Sequence, residues 1–159
     1  MHLLTCVAAL LAAPLSVAAL PTSNAGEPTS LLSARQRRAP PPCVRMDPAP
    51  TEEETNARFA AFVEAFVGKS KSISKAFEHI AADYINHNPM AKNGSASAWG
   101  ILSPFWDSSS TTYIRSKIDG NMSWVNYRAG GIGEVVDRFR WEGGCIAEHW
   151  DQGEKYPAS

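Results

Sequence analysis

The stretch from Val135 to Asp151 constrains the fold most, because it has the pattern of two strands joined by a tight turn. Before the glycines, successive residues alternate in a way that places every second side chain on the same face of a strand. We expect one face to carry Val135, Asp137, Phe139 and Trp141. A carboxylate within an aromatic face is unusual for a core, and it makes this hairpin the first place to look for a site.

The turn Glu142–Gly144 fits a three-residue hairpin loop with a bulge, because glycine adopts the left-handed conformation that such a loop needs. The cross-strand pairs that this turn predicts are Trp141 with Cys145, Phe139 with Ala147, Asp137 with His149 and Arg138 with Glu148. The opposite charges of the last pair favour this register. A slip of one residue would place Trp150 opposite Asp137 instead, so the facing of Asp137 and His149 is a prediction.

The chain of 159 residues is long enough for one domain, and its front has the composition of a secretory leader. Residues 1–19 have a short apolar run that ends in small residues, which is typical of a cleaved signal peptide. Residues 20–50 are rich in Pro, Ser and Thr and are predicted to be a disordered leader with a dibasic protease site at Arg38. The alternative for Arg38 is a solvated charged patch. We assign the domain to residues 51–152 and a polar tail to 153–159.

Charge and cysteine content narrow the class of protein. A formal net charge of −1 implies neither a nucleic acid nor an anionic membrane as partner, and no later stretch is long enough to span a membrane. Cys6 would leave with the signal, so that Cys43 and Cys145 remain in an oxidising compartment. A bridge between them would close a loop of about 100 residues and stabilise the fold by about 4–5 kcal/mol. Two free thiols are the alternative.

Two sequons, at Asn93 and Asn121, lie at predicted turns and would be accessible to glycosylation in a secretory pathway. Their positions agree with a secreted or lumenal protein.

The first half of the domain is predicted to be helical. Thr51 and Glu54 form a capping box that starts a helix ending at Gly68. A second helix is predicted to end before Pro89, with an apolar face made of Ile73, Phe77, Ile80, Ala81 and Tyr84. A third helical stretch, 95–106, should be kinked or shortened by Pro104.

The second half changes to alternating strands. Residues 112–118 and 122–128 are predicted to pair around the turn Asp119–Asn121, before the strand that bears Asp137. Helices followed by strands predict an α+β fold, with the helices packed on one face of a curved antiparallel sheet.

Four motifs, Tyr84–Pro89, Asp119-Gly120, Val136–Arg140 and Ile146–Asp151, resemble the SnoaL-like polyketide cyclase family over about residues 52–151. The resemblance implies a cone-shaped α+β barrel of the nuclear transport factor 2-like superfamily. It also implies ring closure by aldol chemistry with no metal or organic cofactor. Pure binding modules share this fold, so the fold transfers more readily than the activity.

By the same resemblance, Asp137 matches the acid/base aspartate, and His149 and His87 match the histidines of the flanking motifs. The sequence departs from the family at Asn126, where a histidine is common, and after Asp151, where the tail is polar. For each candidate a structural role is the alternative: a hydrogen-bonded aspartate, a histidine that satisfies it, or a helix cap at His87. Asp151 lies near the rim in the predicted register.

Large aromatic residues would line the cavity of such a barrel or form its core. The predicted lining residues are Tyr84, Trp99, Trp106, Trp124, Phe139 and Trp141. No pair of histidines has the helical spacing of metal ligands, so no metal is expected.

Together these features predict a secreted, cofactor-independent lyase, cyclase or isomerase that acts on a small apolar carbonyl compound. The alternative is a secreted binding module for a small hydrophobic metabolite, which a pairing of Asp137 with Arg138 or Arg140 would favour. The family commonly dimerises through the outer face of the sheet. We therefore expect a homodimer, with apolar contacts from Val136, Ile146 and Trp150.

Overall fold

The structure, a computed structural model, describes residues 38–158; the predicted signal peptide, Cys6 and most of the predicted leader lie outside these residues. The helices are α1 (Glu52–Val67), α2 (Ile73–Phe77) and α3 (Ser95–Leu102), with a 3₁₀ turn at Trp106–Ser108. The strands are β1 (Ile80–Asn86), β2 (Thr111–Asp119), β3 (Met122–Ala129), β4 (Gly133–Glu142) and β5 (Cys145–Trp150). Within residues 38–158, no helix is long and apolar enough to cross a membrane.

Helix α1 begins and ends where the sequence predicts. The Thr51 hydroxyl accepts a hydrogen bond from the Glu54 main-chain N–H, and the Glu54 carboxylate accepts one from the Thr51 N–H at 2.8 Å, which completes the capping box. The apolar stripe that includes Phe59, Phe62 and Phe66 is buried. This stripe packs against the concave face of the sheet and forms the centre of the core.

The second predicted helix is wrong beyond its first turn. Helix α2 ends at Phe77, and the chain continues as strand β1 from Ile80. The spacing that suggested a helix does not separate the two structures, because residues four apart, such as Ile80 and Tyr84, share a face in a helix and also in a strand. This segment forms a strand because it pairs with β5, and that pairing satisfies the hydrogen-bonding capacity of the main-chain N–H and C=O groups of β1.

The third helical prediction is confirmed in its shortened form. Helix α3 ends at Leu102, and the 3₁₀ turn follows Pro104. Proline lacks the N–H that a continuing helix would need, so the interruption falls where the sequence predicts it.

The five strands form one curved, unclosed sheet in the order β1-β5-β4-β3-β2. Strands β2 to β5 are antiparallel neighbours, whereas β1 lies parallel to β5 at one edge. The predicted α+β fold class is confirmed, and the parallel edge strand replaces the rest of the second predicted helix. The concave face and the helices enclose the core.

The register predicted for the β4–β5 hairpin is wrong. The observed pairs are Arg138 with Trp150, Phe139 with His149, Arg140 with Glu148, Trp141 with Ile146 and Glu142 with Cys145. The loop is a two-residue turn, Gly143-Gly144, with φ of 56° and 78°, which suits the twist of a hairpin. A bulge between Arg140 and Trp141 leaves Ala147 as the extra residue and turns Ile146 into the core. Ile146 is therefore not on the outer face.

Residues 43–46, which the sequence analysis placed in the leader, lie against the sheet. The Cys43 N–H donates to the Ile80 carbonyl and the Met46 N–H to the Gly143 carbonyl, each at 2.9 Å. Cys43 and Cys145 form the disulfide, with their Cα atoms 5.8 Å apart. The bridge therefore fixes this segment beside β1.

The polar tail also lies on the sheet, on its convex outer face. The Glu154 carboxylate is 3.0 Å from the Arg138 guanidinium, and the Arg115 guanidinium lies 4.1 Å from the centre of the Tyr156 ring. These contacts cover part of the face on which a partner subunit was expected.

Candidate functional site

A cavity of about 260 Å³ lies between the helices and the concave face of the sheet. Its wall is mostly apolar and aromatic, with rings from Phe62, Phe66, Tyr84, Trp106, Tyr127 and Phe139. Two carboxylates and one imidazole also line it, namely Asp137 from β4, Asp151 just after β5 and His149 from β5. A small apolar space with a few convergent polar groups is the usual form of a ligand site.

Asp137 is the most buried of these groups, with 3% of its surface exposed. The Tyr127 hydroxyl donates a hydrogen bond to Oδ2 at 3.0 Å, and Nε2 of His149 lies 3.2 Å from Oδ1. Its neighbours Arg138 and Arg140 point to the other face of β4, where they contact Glu154 and Glu148. Among the residues of the described chain, no arginine neutralises Asp137.

The protonation of His149 follows from its second nitrogen. The main-chain N–H of Asn88 donates to Oδ1 of Asn86 at 3.0 Å, which identifies that atom as the amide oxygen. Nδ1 of His149 lies 3.3 Å from the same oxygen, so Nδ1 must carry a hydrogen. An ionised Asp137 can only accept, so its contact with Nε2 is a hydrogen bond only if Nε2 is protonated as well. The geometry therefore describes an imidazolium beside a carboxylate.

The electrostatics of the site favour the same protonated form of His149. Burial acts to lower the pKa of His149, but the hydrogen bond and the negative charge of Asp137 act against it. The charges of Asp151 and Glu154 add to the effect, and the pKa of His149 is raised above its ordinary value. The ring is also held in place between Phe139, with centroids 5.0 Å apart, and Tyr84, with centroids 6.2 Å apart.

Tyr127 is a member of the site that the sequence analysis missed. Burial and the nearby charge of Asp137 raise its pKa, so the phenol keeps its proton and remains a hydrogen-bond donor. Alternation along β3 could have identified it, because Tyr127 shares the inner face with Val125, which pairs with Asp137. The comparison with the family drew attention to Asn126, the neighbour of Tyr127. The side chain of Asn126 lies on the opposite face of β3, where it contacts Glu134 and Arg115.

Asp151 lies at the junction of this cavity with a second one of about 180 Å³. Its Oδ2 accepts a hydrogen bond from Nδ2 of Asn88 at 2.7 Å. Its Oδ1 is buried and has no hydrogen-bond partner among the residues that the structure describes. Asp151 therefore lines the interior of both cavities and not only a rim.

Asp137, His149 and Asp151 each bring one possible ligand atom within 4.8 Å of the other two, a set that a divalent cation could share. These three residues come from β4, β5 and the segment after β5. The search for two histidines at helical spacing in the sequence could therefore not have found them. The 3.2 Å distance between Asp137 and His149 is that of a hydrogen bond. A proton between the two atoms explains this distance.

His87 is not among the described residues that line the cavity, so the structure does not bring it together with Asp137 and His149 as the resemblance implied. Its Nε2 lies 2.7 Å from a carboxylate oxygen of Glu148, and its ring stacks on Trp150 with centroids 4.3 Å apart. Both partners belong to the outer face of β5. The His87 N–H still donates to the His149 carbonyl at 2.9 Å, which helps to fix the end of β5.

Half of the predicted lining residues contact the cavity, namely Tyr84, Trp106 and Phe139. Trp99 is buried against Phe77, with ring centroids 5.2 Å apart. Trp141 is a core residue whose indole N–H donates to the Ser123 hydroxyl at 2.9 Å. Trp124 is half-buried on the other face of β3. The bulky rings were predicted correctly as buried or half-buried, but residue type alone did not separate core from cavity.

The two sequon asparagines, Asn93 and Asn121, are both exposed, as expected for positions in surface turns. Glycosylation at either stays a prediction.

No protein-family model matches this chain, and no curated protein matches it. Among solved structures, a SnoaL-like protein of unknown function from Burkholderia thailandensis is similar, with 10% identity, a TM-score of 0.51, and coverage of 64% of this chain and 96% of that one. A candidate ketosteroid isomerase from Kribbella flavida has 16% identity, a TM-score of 0.49, and coverage of 67% and 84%. A candidate polyketide cyclase from Streptomyces antibioticus has 18% identity, a TM-score of 0.44, and coverage of 61% and 89%. At these identities the likeness concerns the fold alone.

Proposed function

We propose that this chain, which has the SnoaL-like fold, is a cofactor-independent acid/base lyase, cyclase or isomerase acting on a small, largely apolar carbonyl compound. The observation that carries the proposal is the buried pair of Asp137 and His149 in the wall of an aromatic cavity. Two ionisable groups held in opposite protonation states within one cavity are the usual basis of acid/base catalysis without a cofactor.

Each group has a distinct role in the proposed reaction. The Asp137 carboxylate takes a proton from the carbon next to the substrate carbonyl. The Nε2 proton of His149, which faces Asp137 before the substrate binds, is donated instead to the oxygen that becomes negative. An enol then remains, with Asp137 protonated and His149 neutral. In an isomerisation, Asp137 returns its proton to a carbon atom and His149 recovers its own, so protons and charge balance.

Tyr127 and Asn86 position this pair. Tyr127 holds one oxygen of Asp137, which leaves the other directed towards His149. Asn86 fixes the imidazole through Nδ1, so that Nε2 faces Asp137. Positioning of this kind lowers the barrier because less ordering remains for the reaction itself.

The rival function is a binding module whose cavity holds a hydrophobic metabolite without chemistry. An ion pair between Asp137 and an arginine would have favoured it, because an arginine, unlike His149, cannot give up a proton to a substrate. Arg138 and Arg140 instead contact acidic groups on the outer face. This difference favours the enzyme.

Secretion belongs to the same proposal. The Cys43–Cys145 disulfide is compatible with an oxidising compartment, and the composition of residues 1–19 is that of a signal peptide. Carriage to the cell exterior, or to the lumen of the secretory pathway, would expose the chain to the conditions that form the bridge.

The proposal can be tested without knowledge of the natural substrate. Proton removal next to a carbonyl should exchange hydrogen for deuterium in a small bicyclic ketone such as β-tetralone dissolved in D₂O, and NMR follows this exchange. We expect Asp137→Asn to slow the protein-catalysed exchange by about 100-fold or more, because the amide cannot act as a base. Asp83→Asn is the matched control, since Asp83 is exposed and pairs with Arg45 away from the cavity.

Two outcomes would count against the proposal. Exchange at the wild-type rate in Asp137→Asn would show that this carboxylate is not the base. Binding of the ketone by the wild-type protein without any catalysed exchange would favour the binding module.

A further inference from the structure

The wall of the 260 Å³ cavity has few side chains that can donate a hydrogen bond, and most of them are already engaged. The Trp106 indole N–H donates to a main-chain carbonyl at 2.7 Å, and the Tyr127 hydroxyl donates to Asp137 at 3.0 Å. Both ring nitrogens of His149 also have partners. The Tyr84 hydroxyl is the one side-chain donor that remains in the described lining.

This hydroxyl is buried in the wall, yet a small molecule can touch it. Tyr84 has 3% of its surface exposed, and its hydroxyl makes no hydrogen bond with another residue of the described chain. Within residues 38–158, four side-chain nitrogen or oxygen atoms are fully covered without a hydrogen bond, and the Tyr84 oxygen is not one of them. The oxygen therefore keeps some open surface where Tyr84 lines the cavity.

The phenol lies beside the acid/base pair and keeps its proton. Its ring is nearly parallel to the imidazole of His149, at an angle of 20° and with the ring centroids 6.2 Å apart. Burial, and then the charges of Asp137 and Asp151, raises the pKa of Tyr84. The hydroxyl is therefore protonated at neutral pH and can donate a hydrogen bond.

Tyr84 can reach a ligand oxygen at an earlier stage than His149 can. Nε2 of His149 faces Asp137 and must leave that carboxylate before it serves a ligand, whereas the Tyr84 hydroxyl has no hydrogen bond to break. A carbonyl oxygen has two lone pairs. It can accept from Tyr84 first and from His149 afterwards.

We propose that Tyr84 anchors the substrate: its hydroxyl donates a hydrogen bond to the substrate's carbonyl oxygen while His149 is still paired with Asp137. This bond fixes the position of the carbonyl relative to the Asp137 carboxylate, and it strengthens as negative charge develops on the oxygen. Tyr84 transfers no proton. The inference rests on the proposed function for the carbonyl group of the ligand, but it does not require that the reaction occurs.

Two matched probes test this role by calorimetric titration of the purified full chain. β-Tetralone carries a carbonyl group, and tetralin has the same two rings without it. Tyr84→Phe should weaken the binding of β-tetralone by about 10-fold, because the carbonyl oxygen loses its donor in an apolar wall. The affinity for tetralin should stay unchanged. Tyr113→Phe, which removes a hydroxyl from the exposed surface, should alter neither affinity.

The infrared carbonyl stretch of bound β-tetralone gives a readout that a change in packing would not mimic. A hydrogen bond weakens the C=O bond, so the stretch should lie at lower frequency in the wild-type protein than in a hydrocarbon solvent. Most of this shift should be lost in Tyr84→Phe and kept in Tyr113→Phe. Tyr84→Phe should also keep the wild-type midpoint of urea unfolding, because the hydroxyl has no partner in the described chain.

Four outcomes would each overturn the proposal. They are a wild-type protein that binds neither probe, a Tyr84→Phe variant that loses affinity for both probes equally, a carbonyl stretch that is the same in Tyr84→Phe and the wild type, and a lower unfolding midpoint in Tyr84→Phe.

The fate of the proposed function can be told apart from these outcomes. Deuterium exchange that depends on Asp137, together with an unchanged stretch in Tyr84→Phe, would keep the base and reject the anchor. A stretch that depends on Tyr84 without any exchange would support the anchor in a binding module.

Discussion

Asn86 shows how a single amide decides the protonation of a buried histidine. Because Asn88 donates to its oxygen, that oxygen can only accept from His149, and Nε2 must then carry the proton that is shared with Asp137. If the Asn86 side chain were turned so that its NH₂ group faced Nδ1, Nδ1 would accept a hydrogen bond. His149 could then be neutral, with its one hydrogen on Nε2 facing Asp137. The protonation of Nε2 is thus set by a residue that touches neither oxygen of Asp137.

Tyr127→Phe should lower both catalysis and stability. The variant leaves Oδ2 of Asp137 buried without its donor, and such a loss costs about 1–3 kcal/mol in the free energy of unfolding. We also expect slower deuterium exchange, because the carboxylate is then free to turn. Urea denaturation and NMR measure the two effects. Tyr113→Phe is the control, since the Tyr113 hydroxyl contacts Ser116 on the exposed surface; equal losses in both variants would contradict this role for Tyr127.

His149 and His79 should make the free energy of unfolding depend on pH in opposite directions. The raised pKa of His149, set against an ordinary value of 6.5, means that its stabilisation is complete below pH 6.5 and is lost as the pH rises through the folded-state pKa. Burial, and to a lesser extent the charge of Arg58, lowers the pKa of His79 to about 4. Between pH 6.5 and about 4 the unfolded chain binds a proton at His79 that the folded chain does not, so stability falls as the pH falls.

Thermal unfolding across this pH range separates the two histidines. His149→Gln should flatten the alkaline loss of stability that arises from its contacts with Asp137, Asp151 and Glu154, and His79→Gln should flatten part of the acidic loss. The readout is the slope of the midpoint against pH, not its absolute value, because each substitution also changes packing. If the unfolding midpoint of His149→Gln depends on pH above 6.5 as steeply as that of the wild-type protein, His149 is not the titrating group.

At the scale of elements, the Gly143-Gly144 turn fixes the β4–β5 hairpin. A side chain at Gly143 would be strained at φ 56°, and its Cβ would lie 2.8 Å from the Cβ of Arg45. Gly143→Ala should therefore cost more than the roughly 1 kcal/mol of a left-handed alanine. Gly153→Ala is the matched control, because Gly153 has φ 76° with open space around it. Equal losses of unfolding free energy would contradict the steric part of this argument.

The bulge beside this turn explains why a wrong register still brought the right residues together. The shorter loop shifts the pairing by one residue, which alone would move His149 to the outer face. The bulge between Arg140 and Trp141 shifts it by one more, so His149 returns to the face of Asp137. The two residues are diagonal neighbours, not directly opposite. Ile146, on the near side of the bulge, changes face and becomes part of the core.

At the scale of the whole molecule, the homodimer stays a prediction. The apolar surface that could form its interface is smaller than the sequence suggested. Of the three expected contact residues, Ile146 is in the core, and Trp150 lies between His87 and Arg138. Glu154 and Tyr156 cover a further part of the face. If this face is the contact, deletion of residues 154–159 should strengthen association. Light scattering at tens of micromolar, an order-of-magnitude choice for a modest interface, measures it; a monomer in both forms would reject the dimer.

Maturation is a separate prediction at the same scale. Cleavage after Arg38 would give an N-terminus at Ala39, and both residues are exposed. The segment that follows is tied to the body through Cys43, so the cut would not release it. N-terminal sequencing of the secreted protein checks this, and a mature start at Leu20 would remove the dibasic site from the account.

The sequence by itself determined the features that depend on local patterns. The capping box of α1, the break at Pro104, the alternation of the later strands and the shared face of Asp137 and Phe139 all follow from neighbours in the chain, and all are present in the structure. The motifs around Asp137 and His149 also led to the fold class and to the contact between these two side chains.

Tertiary structure alone decided what depends on residues distant in the chain. Strand β1 exists because β5 is there to pair with it, and His87 faces outward because the parallel register of β1 and β5 leaves it beside Glu148. The donors on Asp137, the amide that sets the protonation of His149 and the partnerless oxygen of Asp151 come from different strands and the segments that follow them. Hydrogen bonds act over about 3 Å in space whatever the separation in sequence, so these groups could be identified only after the sheet had brought them together.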